Sequence, residues 1–212
     1  MDFQLEPFQK IVAAYNNDIY PLQIIIYLVG FIAVILSFKT TKYSSIIISA
    51  ILSFFWLWNG IVFCLFYWGP NYKPAYVFGL LFIILGVLFM YYGIFRSDIT
   101  FKYNPDYISN LGAIFIFYGM IGYPVLGYFL NHTYFQFGLI PCPTNVFTFG
   151  LLLWATRLPI YLIIIPLFWT ICGIVPISAG IYEDVGMMLT GLMGTYYIYS
   201  GYRKHKKEPV VV

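Results

Sequence analysis

Few residues in this chain are of types that do chemistry, and their positions are distinctive. Cys142 stands between two prolines in Pro141-Cys142-Pro143-Thr144, with Asn145 next. Glu183-Asp184 is an adjacent acid pair, Asn59 lies in the apolar run WLWNG, and Cys64 and Cys172 are the other two thiols. A thiol or hydroxyl beside a helix N-terminus can meet an anion or a carbonyl, because free N–H groups and the helix dipole concentrate positive charge there. On this reading Cys142 caps a helix, Pro143 takes the first helical position, and Thr144 and Asn145 fill the first turn. The helix terminus would then lower the Cys142 pKa. The plainer account is a short helix entered from a proline-rich loop.

Other positions also carry two readings. Glu183-Asp184 opening a helix suits the macrodipole, or serves as a cation or proton acceptor at the mouth of a membrane site. Asn59 needs a partner wherever it is buried, as an interhelical hydrogen bond or a pore-lining amide. Cys64, Cys142 and Cys172 fall toward one face together with the acid pair, an arrangement open to a soft metal or thiol site. Cysteine in apolar surroundings more often packs as a small hydrophobe. No CxxC motif is present, and three cysteines allow at most one internal disulfide. Asn131-His132-Thr133 has the form of a glycosylation sequon.

Composition determines the elements that must position these residues. The 212 residues are 61% hydrophobic and 9% charged, against about 25% charged in soluble domains. Mean hydropathy is +0.83. This is the composition of one polytopic integral membrane domain, all α-helical, with the bilayer as its main partner and no role in nucleic-acid binding. MDFQLEPFQK carries acids where the basic region of a signal peptide would stand, so none is expected.

Residues 1–20 form a polar lead whose Leu5, Phe8, Ile11 and Val12 share one side at helical spacing, as in a short interfacial helix. Asn16-Asn17-Asp18 and Pro21 then mark the start of the first span. Apolar segments follow at about Pro21–Phe38, Ser44–Trp68, Pro74–Phe95, Tyr107–Leu130, Pro143–Thr156, Pro159–Ile177 and Glu183–Tyr202. Pro124 is expected to kink the fourth. The fifth has about 14 residues, about 21 Å of helix, whereas a hydrocarbon core is about 30 Å thick. Either that helix is unusually short, or residues ahead of the PCPT break also dip inward, where protein or a wet cavity must satisfy the open backbone.

Seven spans place Lys39, Lys42, Arg96, Lys102, Arg157, Arg203, Lys204, Lys206 and Lys207 on one side and only Lys10 and Lys73 on the other. The positive-inside rule then sets the N-terminus outside and the basic tail, residues 203–212, inside. A re-entrant fifth segment leaves six spans and puts that tail outside, against the rule. Small residues recur on one face of three segments: Ser45, Ser49, Ser53; Gly79, Gly86, Gly93; and Gly186, Thr190, Gly194. Such faces let helices approach closely.

Several chemistries are excluded. No span holds a lysine for a retinal Schiff base. The two histidines, His132 and His205, lie in a loop and the tail, so neither a His-ligated haem nor a three-ligand zinc hydrolase is expected, and no cofactor is assigned.

YNNDIYPLQ, WLWNGIVFCLFYW with KPAYVFGLLF, FGLIPCPTNVFTFGLLLWA, and PLFWTICG followed by EDVG together cover most of the chain. In these runs the sequence resembles a family of uncharacterised bacterial multi-pass membrane proteins, a domain-of-unknown-function family. The resemblance implies an integral protein of the bacterial plasma membrane and brings no activity or catalytic residue. Two functions stand out: a helical bundle that binds or passes a small solute or ion near the PCPT break, and an accessory subunit of a larger complex or homo-oligomer. An enzyme ranks third, since acid–base residues are sparse.

Overall fold

The computed structural model describes residues 3–130 and 132–207, with side chains to residue 201. Asn131 of the sequon and the side chains of the basic tail lie outside the described residues. The described residues form eight helices: α1 Leu5–Asp18, α2 Leu22–Phe38, α3 Ser44–Trp68, α4 Pro74–Phe95, α5 Tyr107–Phe129, α6 Pro141–Leu153, α7 Ile160–Ser178 and α8 Glu183–Lys207. Two short strands, β1 Thr100–Phe101 and β2 Ala155–Arg157, pair antiparallel.

Four helices, α3, α4, α5 and α7, are long and apolar enough to cross a membrane, and a fifth passes if α1 and α2 count as one element across their 87° bend. The expected seven spans are therefore corrected to four or five. α6 has 13 residues, about 20 Å of helix. α2 alone has 17. α8 is long, but its opening acids and its Gly, Thr and Tyr content hold its hydropathy down. The expected cap at Asn16-Asn17-Asp18 is also corrected, because these residues finish α1 and α2 begins at Leu22. Asn16 Nδ2 instead donates to the Tyr134 carbonyl at 2.7 Å.

The bundle is built inside out. Its outward faces carry Ile24, Leu28, Phe31, Ile35 on α2, Val77, Leu80, Ile84, Val87 on α4, and Ile114, Phe117, Ile121 on α5, all exposed at helical spacing. Ser49, Ser53, Asn59, Thr144, Asn145, Thr148 and Thr170 are buried. An apolar surface this continuous is what a lipid-facing protein presents.

α3 and α4 pack through the small residues expected to do so. Ser53 Oγ donates to the Gly86 carbonyl at 2.8 Å, Ser49 lies against Gly93, and Gly60 faces Gly79. Gly186, Gly191 and Gly194 bring α8 against Tyr118, Thr170 and Phe149. These stripes are thus occupied within the chain.

α6 is the central helix. Its residues are buried except Cys142, which is half-buried, and α3, α5, α7 and α8 surround it. Trp56 Nε1 donates to Thr148 Oγ1 at 3.1 Å, and Asn145 Nδ2 to Thr170 Oγ1 at 2.9 Å.

Contacts define two ends of the bundle. At one, β1 pairs with β2, Phe101 N–H donates to Ser45 Oγ, and Tyr103 N–H donates to the Ser37 carbonyl. At the other, Tyr67 donates to Asp18 at 3.0 Å, and the loop before α6 is held by α1. Lys39, Lys42, Arg96, Lys102 and Arg157 belong to the β-strand end, Lys10 and Lys73 to the α1 end.

Candidate functional site

The segment before α6 enters the bundle as extended chain and one turn, closed by Ile140 N–H donating to the Gln136 carbonyl at 3.0 Å. Phe135, Phe137, Leu139 and Ile140 are buried, and Phe137 packs against Gly30, midway along α2. Gly138 takes φ +75, a left-handed conformation suited to glycine. The open carbonyls find protein donors: Asn59 Nδ2 reaches Gly138 at 3.1 Å, and Tyr15 hydroxyl reaches Leu139 at 3.0 Å. Trp58 Nε1 in turn donates to the Tyr15 hydroxyl at 2.7 Å. Both features set out for the fifth segment are present: its helix is short, and residues ahead of the break enter the bundle, where protein groups satisfy their backbone.

Asn59 thus clamps the loop rather than a neighbouring helix. Asn59→Leu removes the donor to a buried carbonyl and is expected to cost about 2 kcal/mol, read as a lower midpoint in detergent unfolding with the α-helical signal retained at the start.

The helix start differs from expectation. Ile140 is the N-cap and Pro141 the first residue, so Cys142 and Pro143 lie inside the first turn. Proline fits there because its missing N–H would be unpaired in any case. With Pro141 and Pro143 both lacking N–H, and Thr144 Oγ1 and N–H both turned to the Ile140 carbonyl, the terminus is poor in free donors. It does not activate the thiol. Burial and the nearby Asp184 carboxylate instead push the Cys142 thiol up from its ordinary range.

The side chains meeting at this point come from four elements. Cys142 Sγ donates to Asp184 Oδ2 at 3.5 Å, and Tyr123 hydroxyl donates to Asp184 Oδ1. Glu183 Oε1 lies 2.7 Å from His132 Nδ1, and Tyr118 hydroxyl donates to the Glu183 carbonyl at 2.8 Å. Gly127 leaves the room Glu183 needs, since a Cβ there would stand 2.7 Å from Oε1. Both acids are fully buried. Asp184, at the head of α8 and outside the four spanning helices, has its carboxyl pushed up to about 7 by burial. Glu183 Oε2 has no hydrogen-bond partner among the described residues.

A turn of π-type helix, Tyr118–Gly122, explains how α5 supplies two hydroxyls. Residues five apart point about 140° away from each other on an α-helix, but a wider turn brings Tyr118 and Tyr123 to the same side. Pro124 is its physical cause: it cannot donate to the Met120 carbonyl, and Tyr27 hydroxyl takes that role at 2.8 Å.

A cavity of about 30 Å³ adjoins Asp184 and is bordered also by Cys142, Tyr123, Phe8, Phe135 and Trp169. Trp169 Nε1 is buried beside the Cys142 sulfur. The volume suits one water-sized species.

Of the residues singled out in the sequence, Cys142, Glu183 and Asp184 meet here. Pro143 sits in the same turn, while Thr144 and Asn145 point into the packing around α6. Asn59 acts from the loop. Cys64 is buried against Gly79, and Cys172 is half-buried on α7. Among the described residues, no three His, Cys, Asp or Glu side chains group to hold a metal ion. Tyr118, Tyr123, His132 and Trp169 were not anticipated.

A family model described as "Family of unknown function (DUF6064)" matches residues 5–208, and the chain belongs to that family. Neither the curated proteins nor the solved structures contain a match to it.

Proposed function

We propose that this member of a family of unknown function is an integral protein of the bacterial plasma membrane that binds and passes a small cation, the proton included, beside Cys142 and Asp184. The observation carrying this reading is the pair of fully buried acids, Glu183 with one carboxylate oxygen unpartnered among the described residues and Asp184 with a small aromatic-walled cavity alongside. Charges in such surroundings require a counter-charge or a proton. No Lys or Arg pairs with either acid among the described residues, and His132 meets only Glu183. Aromatic faces around a carboxylate suit a monovalent cation.

The charge distribution supports an orientation. The β-strand end, with Lys39, Lys42, Arg96, Lys102 and Arg157, faces the cytoplasm by the positive-inside rule. That places the N-terminus and the cation site toward the outside, with α1 lying along the interface.

Purified protein in liposomes tests the reading. Wild type is expected to dissipate an imposed pH or monovalent-cation gradient faster than empty vesicles, with Cys142→Ala altering the rate. Wild type, Cys142→Ala and Asn59→Leu vesicles all matching empty ones across protons, cations, metals and small solutes would end it.

The second reading, an accessory subunit or a homo-oligomer, rests on the exposed aromatic and aliphatic surface, because the small-residue stripes pack within the chain. A chain that runs only as a monomer in mild detergent contradicts it.

A further inference from the structure

At the opposite end of the bundle a second, larger feature is built from different residues. A crevice of about 830 Å³ opens between the β1–β2 pair, the start of α5 and the last turns of α8. Its floor is apolar, with Leu152, Leu153 and Trp154 at the foot of α6, and Ile198 of α8 forms a wall. Lys102 and Arg157 stand exposed on its rim. Neither makes an ion pair among the described residues.

One acid also lines the crevice and is turned toward a helix start. Asp106 caps α5, its Oδ1 accepting from Ser109 N–H at 2.7 Å. The rim therefore presents two cations without an ion-pair partner among the described residues, above a floor that would bury hydrocarbon.

We propose that this crevice binds an anionic phospholipid, its phosphate between Lys102 and Arg157 and an acyl chain along the Leu153 and Ile198 wall. Three observations select that occupant. Rim charge is complementary to a phosphate. A free phosphate or other small anion would leave most of the volume and its apolar lining empty. The crevice also lies at the end of the bundle holding Lys39, Lys42 and Arg96, where an anionic leaflet surface would attract it. The feature is separate from the cation site, and neither reading depends on the other.

The test uses the full purified chain, stripped of lipid in mild detergent and offered phosphatidylglycerol or phosphatidylcholine, with bound lipid counted by native mass spectrometry. Phosphatidylglycerol is expected to be retained on the order of tenfold over phosphatidylcholine, the scale of two basic groups near an anionic surface. Lys102→Gln with Arg157→Gln should remove that preference, and Lys39→Gln with Lys42→Gln should keep it. All four side chains are exposed, and unchanged elution and helicity confirm that each variant folds. Soluble glycerol phosphate should not displace the bound lipid. Equal retention of the two lipids, or equal loss in both double variants, overturns the proposal. Displacement by glycerol phosphate would overturn it too, by showing a headgroup site without the acyl groove.

Discussion

Asp184→Asn is expected to reduce gradient dissipation in liposomes by at least about tenfold, the scale of losing about 1.4 kcal/mol of interaction with the bound ion. Asn keeps the size of Asp, but its single amide oxygen can accept from only one of Tyr123 and Cys142, which meet different carboxylate oxygens of Asp184. It can neither hold a proton at that oxygen nor offer charge to a cation. The same substitution changes the pH dependence of stability, with a sign that follows from burial. The Asp184 carboxyl is raised to about 7 in the fold, while an unfolded aspartate ionises near about 3.9. Between those values the folded chain binds the additional proton, so stability falls as pH rises through that window. Asp184→Asn removes that loss, so its unfolding midpoint should exceed wild type above about pH 7 and vary less with pH. The other titratable groups facing the site are Glu183, Tyr118, Tyr123, Cys142 and, through Glu183, His132.

Gly60→Val is expected to destabilise the bundle by about 3 kcal/mol. A Cβ at Gly60 would stand 2.7 Å from the Gly79 carbonyl oxygen and 2.9 Å from the Ile83 nitrogen. Both are backbone atoms of α4, so no side-chain rotation relieves the contact, and α3 and α4 must separate. The Ser53 to Gly86 hydrogen bond and the Ser49 to Gly93 contact lie along the same seam and would loosen with it. Gly201→Val is the matched control, because nothing stands within 4 Å of a Cβ there. Denaturant titration in mixed micelles should separate the two variants clearly. Equal midpoints for Gly60→Val and wild type would show that the α3–α4 seam is not close-packed.

What the sequence made legible was largely what depends on spacing within one helix. Ser49, Ser53, Gly86 and Gly93 recur at intervals that bring each set to one face, and those faces do pack on each other. Pro141 and Pro143 punctuate the chain, so the break at α6 was visible, although its first residue was misplaced by two because either proline can open a helix. The span count was less legible. Hydropathy does not distinguish a helix that faces lipid from α6, which is apolar because it is enclosed by the rest of the bundle.

The site was half legible for a similar reason. Cys142 and Asp184 stood out by type, but their contact crosses 42 positions of sequence. Tyr118 and Tyr123 lie five apart, a spacing that a 3.6-residue period assigns to different faces, and only the π-type turn brings them together. Pro124 was read as a kink; its effect is that wider turn, with Tyr27 closing on the freed Met120 carbonyl. His132 was assigned to a loop and set aside as a haem or zinc-hydrolase ligand, and its pairing with Glu183 depends on the fold of residues 132–140 against α8.

The most direct test of the central claim is infrared difference spectroscopy of the chain in lipid bilayers, stepping pH across about 6 to about 8 and adding monovalent cations at fixed pH. The cation-site account predicts a protonated-carboxyl band in wild type that disappears across the pH step, responds to the bound ion, and is missing from Asp184→Asn. Identical difference spectra for wild type and Asp184→Asn under every condition would contradict it.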